Sequence, residues 1–180
     1  MIRSIIFTDV DDVLVQQRTA DFNKHAPDLS EDICQRLLHP PAMQVLASIV
    51  DEGAQLVITS NWTRFLNRDG FQQLFDLGGY PAIAAALHAS WQAPRTLGGT
   101  RLDAINNWLA AHHAGEQYCI LDDTDSGSGL RGSAQDLAGR VILCSPGTGL
   151  HPGHLPAIRA ALSTPAPSAQ PARAGRSRRR

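Results

Sequence analysis

Hydrophobic positions along this chain fall into short blocks that end in polar groups, and the blocks alternate between two periodicities. A first strand covers about Arg3 to Asp9, with the apolar run Ile5-Ile6-Phe7 at its centre, the pattern of a strand buried on both faces. A second short, β-branched run covers Gln55 to Thr59, after a helix-like stretch from Met43 to Asp51 that stops at Gly53. Tyr118 to Leu121 and Val141 to Cys144 read as two further strands. Between them and the second strand, Leu102, Ile105, Trp108 and Leu109 recur as one face of a helix, with His112, His113 and Gly115 marking its end. The stretch from Gly78 to Thr100 has no clear pattern beyond a short edge strand within Ala84 to Trp91.

Strands that alternate with helices imply crossover connections and a parallel sheet covered on both faces. The fold class predicted is therefore α/β: a Rossmann-like three-layer parallel sheet in a single domain, residues 1–162. In such a sheet, ligands bind beyond the carboxyl ends of the strands. Asp9, Asp11 and Asp12 follow the first strand, Thr59 and Ser60 close the second, and Asp122 and Asp123 close the third, so groups far apart in sequence converge on one edge. Residues 15–42 have little periodicity and contain Pro27, Pro40 and Pro41; they are read as a small flap or minimal cap over that edge, with an ordinary long loop as the alternative.

Composition sharpens this picture in two places. The hydrophobic share of 43% is that of an ordinary globular protein, and no apolar run reaches the roughly 20 residues that span a bilayer. With no signal-peptide pattern at the N-terminus, a cytoplasmic protein with no membrane association is expected. Cys34, Cys119 and Cys144 lack metal-site spacing and are read as buried free thiols. The net charge of −1 conceals two opposite regions. Residues 163–180 hold five arginines and no acid, leaving 11 basic and 17 acidic groups in the body, a net of −6. That Pro-, Ala- and Ser-rich tail is expected to be disordered. Its arginines offer nonspecific contact with a polyanion by charge alone.

The chemistry begins with three carboxylates in four positions. Like charges held that close repel, and a hard divalent cation with oxygen ligands is one compensation, an N-cap or turn cluster the other. The second acidic pair, Asp122 and Asp123, favours the cation.

These residues in this order resemble the haloacid dehalogenase (HAD) superfamily of phosphohydrolases. The likeness rests on an apolar strand ending in Asp9-x-Asp11 with Val13 and Leu14 following, Thr59 with Ser60 after the second strand, Arg101 opening a helix, and Asp122-Asp123. More narrowly, Thr59-Ser60-Asn61-Trp62, the helix from Arg101 to Leu109, Leu121-Asp122-Asp123 and Gly149-Leu150 look like the HAD domains of Swiss Army Knife RNA repair proteins, over roughly residues 3 to 160.

The resemblance implies a Mg²⁺-dependent phosphatase that hydrolyses a phosphate monoester through an aspartyl-phosphate, at a phosphorylated small molecule, a nucleotide or an RNA end. Asp9 would be the nucleophile and Asp11 the acid and base. Thr59, Ser60, Asn61 and Arg101 would bind phosphate. Asp9, the backbone carbonyl of Asp11 and the Asp122–Asp123 pair, chiefly Asp123, would hold Mg²⁺. Arg64 and Arg95 compete with Arg101 for the cationic role. Asp12 departs from the family's frequent Gly, and Asp125 is a substitute for a later acid or a turn residue. His151 and His154 are read as a surface turn. A phosphotransferase, and a catalytically silent domain that binds nucleic acid or a protein, remain the alternatives; in a receiver domain the basic residue would follow the acids, whereas Arg101 precedes Asp122.

Overall fold

The computed structural model describes residues 3–16 and 29–164. Five strands form one sheet: β1 (Ile5–Thr8), β2 (Gln55–Ile58), β3 (Leu87–Gln92), β4 (Tyr118–Asp123) and β5 (Val141–Cys144). Every pairing is parallel, in the order β3-β2-β1-β4-β5. The first three strands run outward from the centre and β4 returns to the other side of β1. That reversal, between β1 and β4, is where a parallel sheet opens a crevice at its carboxyl edge.

Side-chain alternation sends each strand's residues to two separate cores. Ile6, Leu56, Ile58, Cys119 and Leu121 pack with apolar residues of α1 (Glu31–Leu37), α2 (Pro40–Asp51), α3 (Arg68–Leu77), α4 (Pro81–Ala85) and α7 (Leu155–Ser163). Ile5, Phe7, Val57, Tyr118 and Ile120 face Ala104, Ile105 and Trp108 of α5 (Arg101–His112). A short helix, α6 (Ala134–Leu137), precedes β5. The result is three layers with the sheet in the middle. None of the helices of the described residues is long and apolar enough to cross a membrane.

The helix on the second face positions the site, and its start is well determined. Thr100 caps it: the Thr100 hydroxyl accepts the Asp103 N–H at 3.1 Å, and the Asp103 carboxylate accepts the Thr100 N–H at 2.8 Å. Such a reciprocal cap contributes about 1 kcal/mol. Trp108 then pins the helix to the sheet, edge-on to Phe7 with ring centroids 5.2 Å apart, while its indole N–H donates to the Ser90 carbonyl at 2.7 Å.

The edge strand β3 had only a weak sequence signature, and its stabilisation explains why. Its pairing with β2 shifts register between Leu56↔Leu87 and Ile58↔Gln92. Arg68, from α3, donates to the carbonyls of Leu87 at 3.0 Å and His88 at 2.8 Å, capping polar groups that the ladder leaves over. A tertiary contact of this kind has no local periodicity. Arg140 is a second case: fully buried, it lies over the Tyr118 ring at 4.4 Å and donates to the carbonyls of Tyr118 and Thr164.

The three cysteines are free and buried, as expected; burial pushes the Cys144 thiol up to about 12. Of the flap at residues 15–42, residues 17–28 lie outside the described residues. The described remainder includes α1, whose Cys34 joins the main core. The basic tail also lies outside them from residue 165 onward, and α7 carries the chain to Ser163. Replacing Trp108 with Ala removes the α5 anchor and is expected to cost about 3–5 kcal/mol in urea unfolding; a loss under about 1 kcal/mol would contradict this role for the ring.

Candidate active site

Register alone brings the site together. Thr8 is level with Ile58 on β2 and with Leu121 on β4, so Asp9, Thr59 and Asp122, the next residue in each chain segment, lie side by side. Backbone bonds from Asp9 N–H to the Leu121 carbonyl and from Thr59 N–H to the Thr8 carbonyl, both 2.9 Å, extend the ladder to that level. Each is two residues past a side chain that faces α5, namely Phe7, Val57 and Ile120. All three therefore project to the face where α5 begins, and Arg101 is its first residue.

Arg101 is 5% exposed and reaches all three. One terminal nitrogen is 2.9 Å from Asp9 Oδ2, the other donates to Thr59 Oγ1 at 3.4 Å, and Nε is 3.2 Å from Asp122 Oδ2. The Nε contact is an ion pair without hydrogen-bond alignment, which leaves both of those buried atoms short of a bonding partner. Burial works against the Arg101 charge, yet the carboxylates of Asp9 and Asp122 outweigh it and hold its pKa above the ordinary arginine value. Of the three candidate cations, Arg101 is the one that lies against Asp9.

A single guanidinium does not balance the carboxylates. Asp9, Asp122 and Asp123 are all buried, and one oxygen from each can be chosen so that all lie within 4.8 Å of one another. Burial raises Asp122 to about 8; Arg101 opposes the shift, while Asp9 and Asp123 add to it. Three hard oxygen donors with net negative charge, one of them with an orphaned buried oxygen, suit a divalent cation. Asp123 is held ready by the loop beyond β4: its Oδ1 accepts the N–H groups of Asp125 at 2.7 Å and Ser126 at 2.8 Å. Asp125, itself exposed, thus contributes its backbone to a turn.

That loop depends on Gly127. A Cβ on Gly127 would stand 2.7 Å from the Asp123 carbonyl oxygen and 3.0 Å from Asp122 Cβ. The chain folds back so closely over the acidic pair that only glycine fits. The signal was the Gly itself, but Ser126 to Gly129 also reads as a linker.

After β1 the alternation stops. The strand ends at Thr8, and the chain turns through Asp12, whose φ of +55° is left-handed. This explains why glycine suits that position and why Asp is tolerated there. Asp11, half-buried, sits inside the turn in an isolated bridge with Val15 rather than on the strand face beside Asp9. Its carboxylate is not one of the three that cluster. The turn is docked from across the sheet, where Leu150 N–H donates to the Val13 carbonyl at 3.0 Å and Gly149 adopts a φ of +65°.

The remaining candidates divide. Ser60 is buried and caps a 3₁₀ turn, Asn61–Arg64, by accepting the Trp62 N–H at 3.3 Å; Asn61 is exposed at the start of that turn. Arg64 and Arg95 line a neighbouring cleft. His151 and His154 stack at 4.1 Å, and the His151 N–H donates to His154 Nδ1 at 3.2 Å, so both serve their own turn.

Two comparisons bear on this geometry. A family model described as the HAD domain in Swiss Army Knife RNA repair proteins matches residues 5–155, from the first residue of β1 into α7. No curated protein matches the chain.

The raised Asp122 has a consequence for stability. Between the unfolded carboxyl value of 3.8 and about 8, the folded state holds a proton that the unfolded chain releases. Stability contributed by this group is therefore full below the lower value and lost as pH rises through the upper one. With divalent cations chelated, denaturant unfolding of the wild type is expected to lose stability across that window relative to Asp122→Asn. Parallel pH profiles for the two proteins would contradict the assignment.

Proposed function

This chain belongs to the family of HAD domains found in Swiss Army Knife RNA repair proteins, and from that premise we propose that it is a Mg²⁺-dependent phosphomonoesterase working through an aspartyl-phosphate on Asp9. The substrate class is the phosphate monoester of a nucleotide or an RNA end, in keeping with the family's description. One observation carries the reading. Asp9, Thr59, Asp122 and the Arg101 guanidinium meet at the carboxyl edge of β1, at the reversal point of the sheet.

Asp9 is oriented for attack. Its Oδ1 accepts the Val10 N–H at 2.8 Å and its Oδ2 faces Arg101, which fixes the carboxylate plane before substrate arrives. An oxygen of Asp9 forms the bond to phosphorus while the ester oxygen departs with a proton from Asp11. Asp11, now a carboxylate, takes a proton from water, whose oxygen displaces Asp9 and releases inorganic phosphate. Thr59 Oγ1 accepts from Arg101, so its own proton is free to be donated to a phosphoryl oxygen. Arg101 faces the charge that develops on the equatorial oxygens. Bound Mg²⁺, held by Asp9, Asp123 and the Asp11 carbonyl with Asp122 alongside, would offset the repulsion between these carboxylates and a dianionic ester.

Hydrolysis of an aryl phosphate in the presence of Mg²⁺ tests the assignment. Asp9→Asn is expected to lower kcat by more than about 10³-fold. Arg101→Ala is expected to lower it by about 10²–10³-fold, the scale of a lost charge-stabilising donor, with Arg101→Lys recovering part. Turnover by Asp9→Asn equal to wild type would remove Asp9 as nucleophile.

A further inference from the structure

Arg64 and Arg95 have no place in the chemistry above, yet they flank it. A cleft of about 480 Å³ is lined by Asn61, Thr63 and Arg64 on one side and by Arg95, Gly98 and Gly99 on the other. The first segment leaves β2 directly after Thr59 and Ser60; the second leads directly into Thr100 and Arg101. The cleft is thus walled by the two chain segments that deliver the proposed phosphate-binding residues.

Charge marks what the cleft would take. Among the described residues neither the Arg64 nor the Arg95 guanidinium forms an ion pair or a hydrogen bond, although the described acids outnumber the bases and Arg36 and Arg159 both find carboxylates. Arg95 lies within the field of the site: partial burial and the Arg101 charge lower its pKa, Asp9 and Asp122 act in the opposite sense, and Arg64 adds repulsion. Two guanidinium groups that repel each other and, among the described residues, pair with no acid gain from a bound anion. That anion is not the scissile phosphate. Arg101 is buried against Asp9 and Thr59 and already serves that position, whereas Arg64 and Arg95 are exposed one segment further out. A second cleft, about 460 Å³, shares Thr63 and Arg64 with the first and extends to Phe65 and Trp91. The groove therefore continues from cationic to aromatic lining, and the Trp91 ring is backed by Phe71 at 5.5 Å.

We propose that Arg64 and Arg95 form a second anion subsite, which binds a phosphate group of the substrate adjacent to the one hydrolysed. The subsite rests on the reading above that the carboxylate cluster acts on a phosphate monoester. It makes the substrate a molecule with at least two phosphates, and the second is supplied either by a nucleoside bisphosphate or by the first internucleotide linkage of a strand. In the strand case, the aromatic extension gives a base a surface on which to stack.

The test compares kcat/KM of wild type, R64Q, R95Q and the double variant on three substrates: an aryl phosphate, a nucleoside bisphosphate and a terminally phosphorylated oligonucleotide. The double variant is expected to lose about tenfold or more on a two-phosphate substrate relative to the aryl phosphate, chiefly through KM, with a shallower salt dependence. A selective loss on the bisphosphate as well as the oligonucleotide assigns the subsite to any second phosphate; a loss on the oligonucleotide alone assigns it to the strand. Equal losses on all three substrates, or none on either two-phosphate substrate, would overturn the subsite. Should the wild type turn over no ester, the phosphatase reading fails by itself. Fluorescence anisotropy with the same bisphosphate and oligonucleotide still decides the subsite: weaker binding by the double variant supports it, and equal binding removes it.

Discussion

A guanidinium shut away from solvent among three carboxylates is the interaction that the remainder of this molecule is arranged to satisfy. Taking any one of these ions out of water is costly, and leaving one unpaired would cost several kcal/mol more. Arg101 can be buried only because Asp9, Asp122 and Thr59 meet it together, and they can be buried only because Arg101 does. The arrangement is nevertheless unbalanced. One positive group faces three carboxylates, burial raises the Asp122 pKa, and one of its oxygens lacks a bonding partner. Stability and chemistry make the same demand here, for a second positive charge at the carboxyl edge.

The fold meets the geometric part of that demand through register. Parallel pairing of β1 with both neighbours places three strand ends at one height, and the twofold alternation of side chains turns Asp9, Thr59 and Asp122 toward α5. The Thr100–Asp103 cap fixes where that helix starts, and Trp108 against Phe7 fixes how it lies. Gly127 lets the loop after β4 close down on the acidic pair, and Leu150 tethers the turn that carries Asp11.

Much of this was legible in the sequence because the central strands are buried on both faces and therefore read as unbroken apolar runs. β1, β2 and β4 are such runs, β5 is equally apolar although it is an edge strand with alternating burial, and the polar residues that end or follow the first three form the candidate site. α3 has no counterpart in the sequence reading although Phe71, Leu74 and Phe75 have helical spacing; Asp69 and Gly70 in its first turn are weak helix formers. α4 spans five residues, too few for a period to show. β3 depends on Arg68, a contact with no local trace. Arg101 was recognisable as a cation opening a helix, but its burial and its three partners belong to tertiary structure. Twofold alternation alone would put Asp11 on the face of Asp9, but the strand ends at Thr8 and the left-handed turn at Asp12 takes it elsewhere.

Completion of the buried cluster's charge by a divalent cation is what everything above requires. It is tested most directly by thermal unfolding of the wild type and Asp123→Asn over a Mg²⁺ titration, since a ligand at a hundred times its Kd adds about 2.7 kcal/mol to the folded state. The wild-type Tm is expected to rise by several degrees, with the response largely lost in Asp123→Asn. A wild-type Tm indifferent to Mg²⁺, or the same rise in both proteins, would contradict it.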